Sequence, residues 1–428
     1  MNITKFSLLL VVFVDLIGQG LIIPILTTLL LSTDQAFLAP DTPQSTRQVY
    51  FGVAVAVFFL SWFLGAAYIS RISDMIGRKK GILICLAGAF LGYVLMIVSL
   101  YVGSFLLLLL ARVVTGFTAG NQPIAQAAMI DLSTNEQDRI RNLGYIIAGA
   151  SAGLVAGPIL GGLLSDPAAL GRFASLSLPF YVAASVIAAT MVLIALVFQD
   201  RVQDRMPLRF EPLEMFLVLW RITERPAILR ISLVFFCYMF VLNSFYVFMD
   251  NYLESRFGYG TFMNSVAMMI FGLCAGISSA VLPAVFEARM PKRRIVVLAL
   301  TVMGVSVLAF TLMPVGGLAI VAVAIVGIAF AVGYPTLLSI YSMAADGSEQ
   351  GWVMGLTTAL FTMGAAITSF AGGEAMAVDI ALPFYYGAAV AALAIGLIGA
   401  LWRYPAVRAI VAKPPQKQPP TATGSTQS

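Results

Sequence analysis

Long apolar stretches separated by short polar connections dominate this chain. A hydrocarbon core of ~30 Å takes ~20 helical residues per crossing. Stretches of that length fall at 6–31, 49–70, 82–101, 105–130, 142–164, 178–198, 229–253, 262–286, 295–313, 317–343, 352–374 and 380–403. The pattern therefore predicts an all-α membrane protein with twelve transmembrane helices. Composition agrees: of 428 residues, 60% are hydrophobic and 11% charged, and the mean hydropathy of +0.95 excludes an ordinary soluble enzyme.

A net charge of +5 invites a nucleic-acid reading, but the positions of the charges exclude it. Orientation in a membrane follows where Lys and Arg sit in the loops. All but four of the 25 Lys and Arg residues fall at the two ends or in connections on one side; Arg47, Arg172 and Arg256 fall on the other and Arg112 inside a span. Both termini are expected in the cytoplasm of a cell whose inner membrane the chain crosses. The first span has no small-residue cleavage site and contains Asp15, so it is expected to be a retained helix. Cys85, Cys237 and Cys274 lie inside spans without ligand-like spacing, which points to buried thiols and to no metal site or disulfide.

Two spans carry charge where charge is costly. Asp15 lies nine residues past Phe6, ~14 Å into the first helix at ~1.5 Å per residue and close to the midplane. An acid at that depth normally faces a protein or water cavity and marks a pathway; the structural alternative is a protonated carboxyl bonded to a neighbouring helix. Arg112 in the fourth span needs a partner or water, unless it snorkels outward. Asn121, Gln122 and Gln126 on the same span supply amides for a polar cavity wall or for interhelical bonds. With no histidine in the chain, carboxyls are left to carry protons, and Asp250, Glu254, Glu374 and Asp379 fall near the outer face.

The fifth span, GYIIAGASAGLVAGPILGG at 144–162, places Gly149, Gly153, Gly157 and Gly161 on one helical stripe, with Pro158 and Gly162 beside the last two. Such a stripe permits a tight helix-helix seam, and the proline bends the helix. The unit resembles the antiporter signature of major facilitator superfamily exporters, the twelve-helix drug:proton antiporter branch. That resemblance implies a bent helix that shapes a substrate cavity and limits leak. Asp15, Gly18, Gly20 and Pro24 resemble the first helix of tetracycline-type efflux proteins of the same family, with Thr27 where a second proline is usual. Asp74, Gly77, Arg78 and Lys79 resemble the family's cytoplasmic loop between helices two and three, although Ser70 and Met75 replace its first glycine and first arginine. The resemblance implies a charge-linked cytoplasmic gate, which Asp131 could join by pairing with Arg78. Arg112 and Gly116 resemble the fourth-helix motif, in which the cation is linked to proton movement by its influence on nearby carboxyls.

An internal repeat supports two similar halves. Glu287 stands 213 residues beyond Asp74, Gly333 the same distance beyond Gly120, and LPFY recurs at 178 and 382. The expected organisation is a six-helix bundle at 1–198, a cytoplasmic linker at 199–228 with an amphipathic stretch at 214–221, a second six-helix bundle at 229–403, and a Pro- and Ser/Thr-rich tail at 404–428 expected to be disordered. The second half is richer in large apolar side chains. Gln19, Asn121, Gln122, Gln126, Asn243, Tyr246, Tyr334 and Phe361 are the candidate lining of a central substrate cavity, although the default for a membrane aromatic is packing.

The expectation is a secondary transporter, not an enzyme, that works by alternating access. A proton enters Asp15 from outside and leaves inward in exchange for a small organic compound, with Arg112 modulating Asp15. No phosphate-binding glycine loop is present, so the expected energy source is the proton gradient, with no cofactor. The expected partners are protons, a small-molecule substrate and the lipid bilayer, with no nucleic acid, and the expected state is a monomer. One deep acid and few amides favour neutral, zwitterionic or cationic substrates over polyanions. A proton-coupled importer of a nutrient or siderophore, a membrane-embedded enzyme and a non-transporting sensor remain as alternatives.

Overall fold

The computed structural model describes residues 3–412 apart from 34, 36, 135, 200–219 and 346–348. The helices are α1 Ile3–Leu31, α2 Gln44–Ile76, α3 Arg78–Val102, α4 Phe105–Phe117, α5 Asn121–Asp131, α6 Glu136–Ser165, the short α7 Pro167–Leu170, α8 Leu178–Val197, α9 Pro226–Phe257, α10 Thr261–Arg289, α11 Lys292–Leu312, α12 Gly316–Ala344, α13 Gln350–Val378, α14 Leu382–Leu401 and α15 Pro405–Val411. Twelve spans are long and apolar enough to cross a membrane, the fourth being α4 and α5 together. Helix is the natural state for such runs, because lipid offers no partner to a bare peptide group.

The spans pack as two bundles of six. In the first, α1 lies along α6, α2 on α4 and α3 on α8; in the second, α10 and α11 pack on α12 and α9 on α14. The bundles meet along two seams, α2 against α13 and α6 against α10. Twelve crossings put the first and last described residues on one face, called here the termini face.

At the opposite face the bundles clasp tightly. A Cβ on Gly52 would lie 2.6 Å from the carbonyl oxygen of Ser369 and 2.7 Å from the Cα of Gly373. Gln48 Nε2 donates to Asn251 Oδ1 at 3.1 Å, and Asn251 Nδ2 donates back to Gln48 Oε1. The hydroxyls of Thr28 and Thr261 share a hydrogen bond of 2.6 Å. Phe51 meets Phe248 with ring centroids 5.9 Å apart. Further along this seam Phe59 and Trp62 each make a T-shaped contact with Phe361, with centroids 5.9 and 5.8 Å apart.

The α6–α10 seam is different along its length. Near the clasped face a Cβ on Gly162 would lie 2.6 Å from Ser265 Cβ, and at mid-membrane one on Gly272 would lie 3.3 Å from Val155. Towards the termini Ile147 of α6 is 63% exposed and Ile277 and Val281 of α10 are 70% and 56% exposed, and no residue from 276 to 289 is buried. The bundles are thus sealed on one side and part towards the termini face.

Ion pairs described at the termini face include several within single bundles: Lys5 with Asp138 at 3.1 Å, Arg78 with Asp131 at 3.4 Å, Lys292 with Glu287 at 2.6 Å, and Arg225 with Glu349. The Asp138 carboxyl is held below the usual carboxylate range, first by the hydrogen bond from Lys5 and then by the Thr134 amide and Arg141.

Two expectations need correction. The fourth span is not one continuous helix: it breaks between α4 and α5. The tail is not irregular from 404, because α15 forms with Val407 and Val411 buried. Its approach is anchored by Arg230, whose guanidinium lies 4.0 Å from the Tyr404 ring centroid and whose carbonyl accepts from Trp402 Nε1 at 3.4 Å. Residues 413–428 and the amphipathic stretch at 214–219 lie outside the described residues.

Candidate functional site

The glycine stripe of α6 turns out to be the seat of α1. A Cβ on Gly153 would strike the carbonyl oxygen of Phe13; one on Gly157 would lie 2.5 Å from that of Ile17 and 2.8 Å from Gly20 Cα. Reciprocally, a Cβ on Gly20 would lie 2.6 Å from Pro158 Cδ. These contacts bracket Asp15 in sequence on both sides, so the stripe sets the depth and rotation at which α1 presents its carboxylate. Gly162 faces the other way, onto Ser265 of the second bundle.

The break in the fourth span supplies the opposite wall. Pro123 has no N–H to give to the carbonyl of residue 119 and its ring would collide with that carbonyl, so a helix cannot run through. In the first turn of a new helix the missing donor costs nothing, and α5 accordingly starts at Asn121 behind Gly120. Its first residue therefore stands at a helix N-terminus in mid-membrane, where the partial positive charge of the backbone favours an anion. Asn121 Nδ2 donates to Asp15 Oδ1 at 3.3 Å.

Arg112 is 3% exposed and does not snorkel. Its Nε donates to the carbonyl of Ala54 on α2 at 3.2 Å, and the guanidinium lies 4.2 Å from the centroid of the Phe58 ring, a cation-π contact. Asp15 and Arg112 line the same cleft without forming a direct ion pair. The cleft has a volume of about 30 Å³ and is lined by Asp15, Gly18, Gln19, Phe58, Tyr93, Arg112, Thr115 and Asn121 among others, all from the first bundle. That is room for a water, which needs ~10–15 Å³, and Asp15 is only half-buried in it. The arrangement can hold a proton on a carboxyl, exchange it with water, and hold a cation nearby.

Of the other candidates, Gln122 and Gln126 lie on α5 without lining this cleft. Asn243 is buried on α9, Tyr246 rests on Phe271 with centroids 5.3 Å apart, Tyr334 stacks on Phe330 at 5.2 Å, and Phe361 belongs to the seam with α2. The structure brings Asp15, Gln19, Arg112 and Asn121 together and leaves the second-bundle residues apart from them. At the termini-face loop, Gly77 adopts φ +103° between α2 and α3, a conformation that suits glycine. Arg78 there reaches Asp131 and, at 3.4 Å, Ser73 Oγ, while Lys79 donates to the Ala195 carbonyl at 2.7 Å. The side chain of Asp74 lies outside the described ones.

Sequence reasoning missed three residues. Tyr93 lines the cleft, its hydroxyl occupying the space a Cβ on Gly18 would need. Pro123 dictates the break, a signal that was readable beside Gly120. Arg47, expected as an ordinary loop cation, is fully buried and ties the first loop through the carbonyls of Leu30, Ser32, Ala39 and Thr42 at 3.0–3.3 Å.

The family model for the Major Facilitator Superfamily matches residues 8–369. The chain belongs to this superfamily. It is therefore a multi-pass transporter and not an enzyme. It is similar to the class G tetracycline resistance protein of Vibrio anguillarum, 26% identical over 363 residues that cover 82% of this chain and 85% of that protein. It is also similar to the quinolone resistance protein NorA of Staphylococcus aureus strain MRSA252, 26% identical over 407 residues, 93% of this chain and 97% of the relative. Among solved structures it resembles the human organic anion transporter MFSD10, with TM-score 0.65 and 21% identity over 92% of this chain and 99% of that one. A D-xylose-proton symporter matches with TM-score 0.72 and 13% identity over 94% and 98% of the two chains. Both structural likenesses speak to the fold: two six-helix bundles of a superfamily transporter.

Proposed function

We propose that this transporter exports small amphipathic organic compounds across the cytoplasmic membrane in exchange for protons, by alternating access. The observation that carries the reading is Asp15: a carboxylate near the midplane, half-buried on a water-sized cleft, hydrogen-bonded by an amide at a helix N-terminus and unpaired with the nearby arginine. A carboxyl so placed can gain and lose a proton without a permanent counter-ion.

The excess of Lys and Arg supports a cytoplasmic termini face, and on that reading the described conformation is inward-open. In that state Asp15 releases its proton inward and substrate enters between the bundles, where Gln122, Gln126, Asn243, Tyr246, Tyr334 and Phe361 are its candidate wall. After the switch, external protons reload Asp15 and substrate leaves. Arg112, held over Phe58, biases the carboxyl electrostatically from within the same cleft. The gradient drives the cycle without a cofactor, and a monomer is sufficient for it. The names of the relatives point to compounds of the tetracycline and quinolone kind as first candidates.

The test is proton movement in proteoliposomes on addition of tetracyclines, fluoroquinolones and other amphipathic compounds, for wild type and Asp15→Asn. A substrate-triggered proton signal that is abolished in the variant is expected. A signal of unchanged size would assign coupling to another carboxyl, and substrate running with the proton gradient would make the protein an importer.

A further inference from the structure

The structure holds a second pair of acids that the proposed cycle does not use. Tyr246, Asp250 and Glu254 follow one another at four-residue steps along α9, one stripe of the helix. Asp250 is fully buried, and neither of its carboxylate oxygens has a hydrogen-bond partner; Glu254, half-buried one turn nearer the outer end, has one oxygen in the same condition. Buried polar atoms without partners recur on the neighbouring turns: Asn243 Nδ2 on α9, and Asn264 Oδ1 and Ser265 Oγ on α10.

The turns of α9 that carry this pair also carry contacts of the clasp between the bundles. Asn251, next to Asp250, makes the reciprocal amide pair with Gln48. Phe248, two residues before Asp250, meets Phe51 across the seam. On the facing helix, Ser265 packs on Gly162 of the first bundle and Thr261 bonds Thr28.

Among the described residues no cation is placed to neutralise the acids. On α2, Arg47 is committed to the four carbonyls of the first loop. On α9 itself, Arg256 is directed to the Tyr252 hydroxyl at 2.6 Å and the Thr311 carbonyl at 3.0 Å. The far halves of α1, α10 and α12 carry no charged residue, α13 contributes only Glu374, which is exposed, and Asp379 stands at the start of α14 with its carboxylate on the Ala381 amide. The remaining titratable groups at this end are Asp166 of the first bundle, whose carboxylate accepts from the Phe262 amide at 3.0 Å, and the tyrosines Tyr246 and Tyr252 on α9 and Tyr385 and Tyr386 on α14.

Two carboxylates one turn apart, ~5–6 Å between Cβ atoms, resist being ionised together when one of them is fully buried, because the buried one loses several kcal/mol of hydration and each repels the other. We propose that Asp250 and Glu254 form a second proton-binding site, set in the external gate, which closes only when the pair is protonated and opens as the pair ionises and hydrates. Glu254 is the outer, half-buried member and takes the proton from external water; Asp250 is the inner one. External protons thereby act twice, on Asp15 and on the gate that must shut behind them. The inference uses the alternating-access part of the proposed function and is independent of coupling through Asp15.

The test reads the gate directly. Cys85, Cys237 and Cys274 are replaced by alanine, Asp15→Asn removes the first proton site, and Ser265→Cys, a nearly isosteric change at the clasp, reports opening through labelling by a membrane-impermeant maleimide in right-side-out vesicles. Labelling is expected to rise with external pH, by up to about tenfold per pH unit for each proton the closed state holds. Adding Asp250→Asn with Glu254→Gln, which mimics the neutral pair, is expected to leave labelling low at every pH. Should that double variant not reach the membrane, Asp250→Asn or Glu254→Gln alone is expected to lower the steepness of the pH profile. An unchanged pH profile in these variants, or strong labelling of the neutral pair at all pH values, overturns the proposal.

Discussion

Asp15 and Asp250 are both acids inside spans, and their surroundings could hardly differ more. Asp15 sits on a cleft with room for water, an amide donor and an arginine close by. Asp250 is fully buried on a helix of the clasp, and among the described residues neither of its oxygens has a hydrogen-bond donor. The first environment tolerates both protonation states and suits a group that must turn over in every cycle. The second penalises the ionised state, and in the proposed gate a change in charge is accompanied by separation of the bundles. In the proposed cycle the same residue type serves as carrier in one half of the molecule and as a condition on closure in the other.

The halves differ in packing as well. In the first, α1 and α6 approach to backbone contact over glycines. In the second, rings do the filling: Phe245, Phe310, Tyr252 and Phe384 form one cluster with centroids 5.0–6.1 Å apart. The glycine seam is therefore the sharper point of attack. Gly157→Val is expected to be the most damaging substitution, because its side chain would meet backbone atoms of α1, which cannot rotate away. A loss above the usual ~1–3 kcal/mol of overpacking should appear as loss of monodisperse protein in detergent. Phe384→Leu in the ring cluster should be the milder change, and equal damage at both sites would erase the distinction.

Next in size is the clasp. Gln48→Leu leaves the Asn251 amide buried without its partner, at about 1–3 kcal/mol, and should raise maleimide labelling of the Ser265→Cys reporter at every pH. Smaller again is Arg112→Lys, which keeps the charge but loses the planar contact with Phe58, ~0.5–2 kcal/mol for such a contact. Its expected signature is a displaced pH profile for substrate-driven proton movement with little change in melting temperature. A melting temperature that falls with no change in pH profile would make Arg112 a packing residue.

The smallest effect belongs to Asp138→Asn at the termini face. The Asp138 carboxyl titrates below its ordinary value when folded, so the native aspartate contributes stability that is present above the unfolded value of ~3.9. That contribution is lost as pH falls through the folded value. The variant should therefore melt slightly below wild type at neutral pH and converge with it below about pH 4. A gap that persists at low pH would mean that the Lys5 contact acts by something other than charge.

Much of the first bundle could be read in advance because its signals are local. Asp15 stands out as a lone charge in a long apolar run, Arg112 likewise, and the four-residue glycine spacing marks a face without side chains. The position of the break was equally local, since Pro123 behind Gly120 carries the instruction, yet hydropathy alone passes over it. Asp250 is visible in the sequence as an acid near the outer face, alongside Glu254, Glu374 and Asp379. Nothing in its neighbourhood along the chain tells that the helix end is covered by another bundle.

The sequence by itself determined the span count, the two-fold repeat of bundles, the placement of basic residues on one face, and the presence of an acid and a base at membrane depth. Each of these depends on a residue's transfer into lipid or on its spacing along one helix, quantities that need no partner. Only the tertiary structure decided that the glycine stripe seats α1, that Asn121 reaches Asp15 while Gln122 and Gln126 do not, that Arg47 is a buried pin, and that Asp250 is fully buried without a hydrogen-bond partner. Those outcomes depend on which side chain from a distant part of the chain fills the facing space, and a contact across 106 or 203 residues exists only once the bundles have packed.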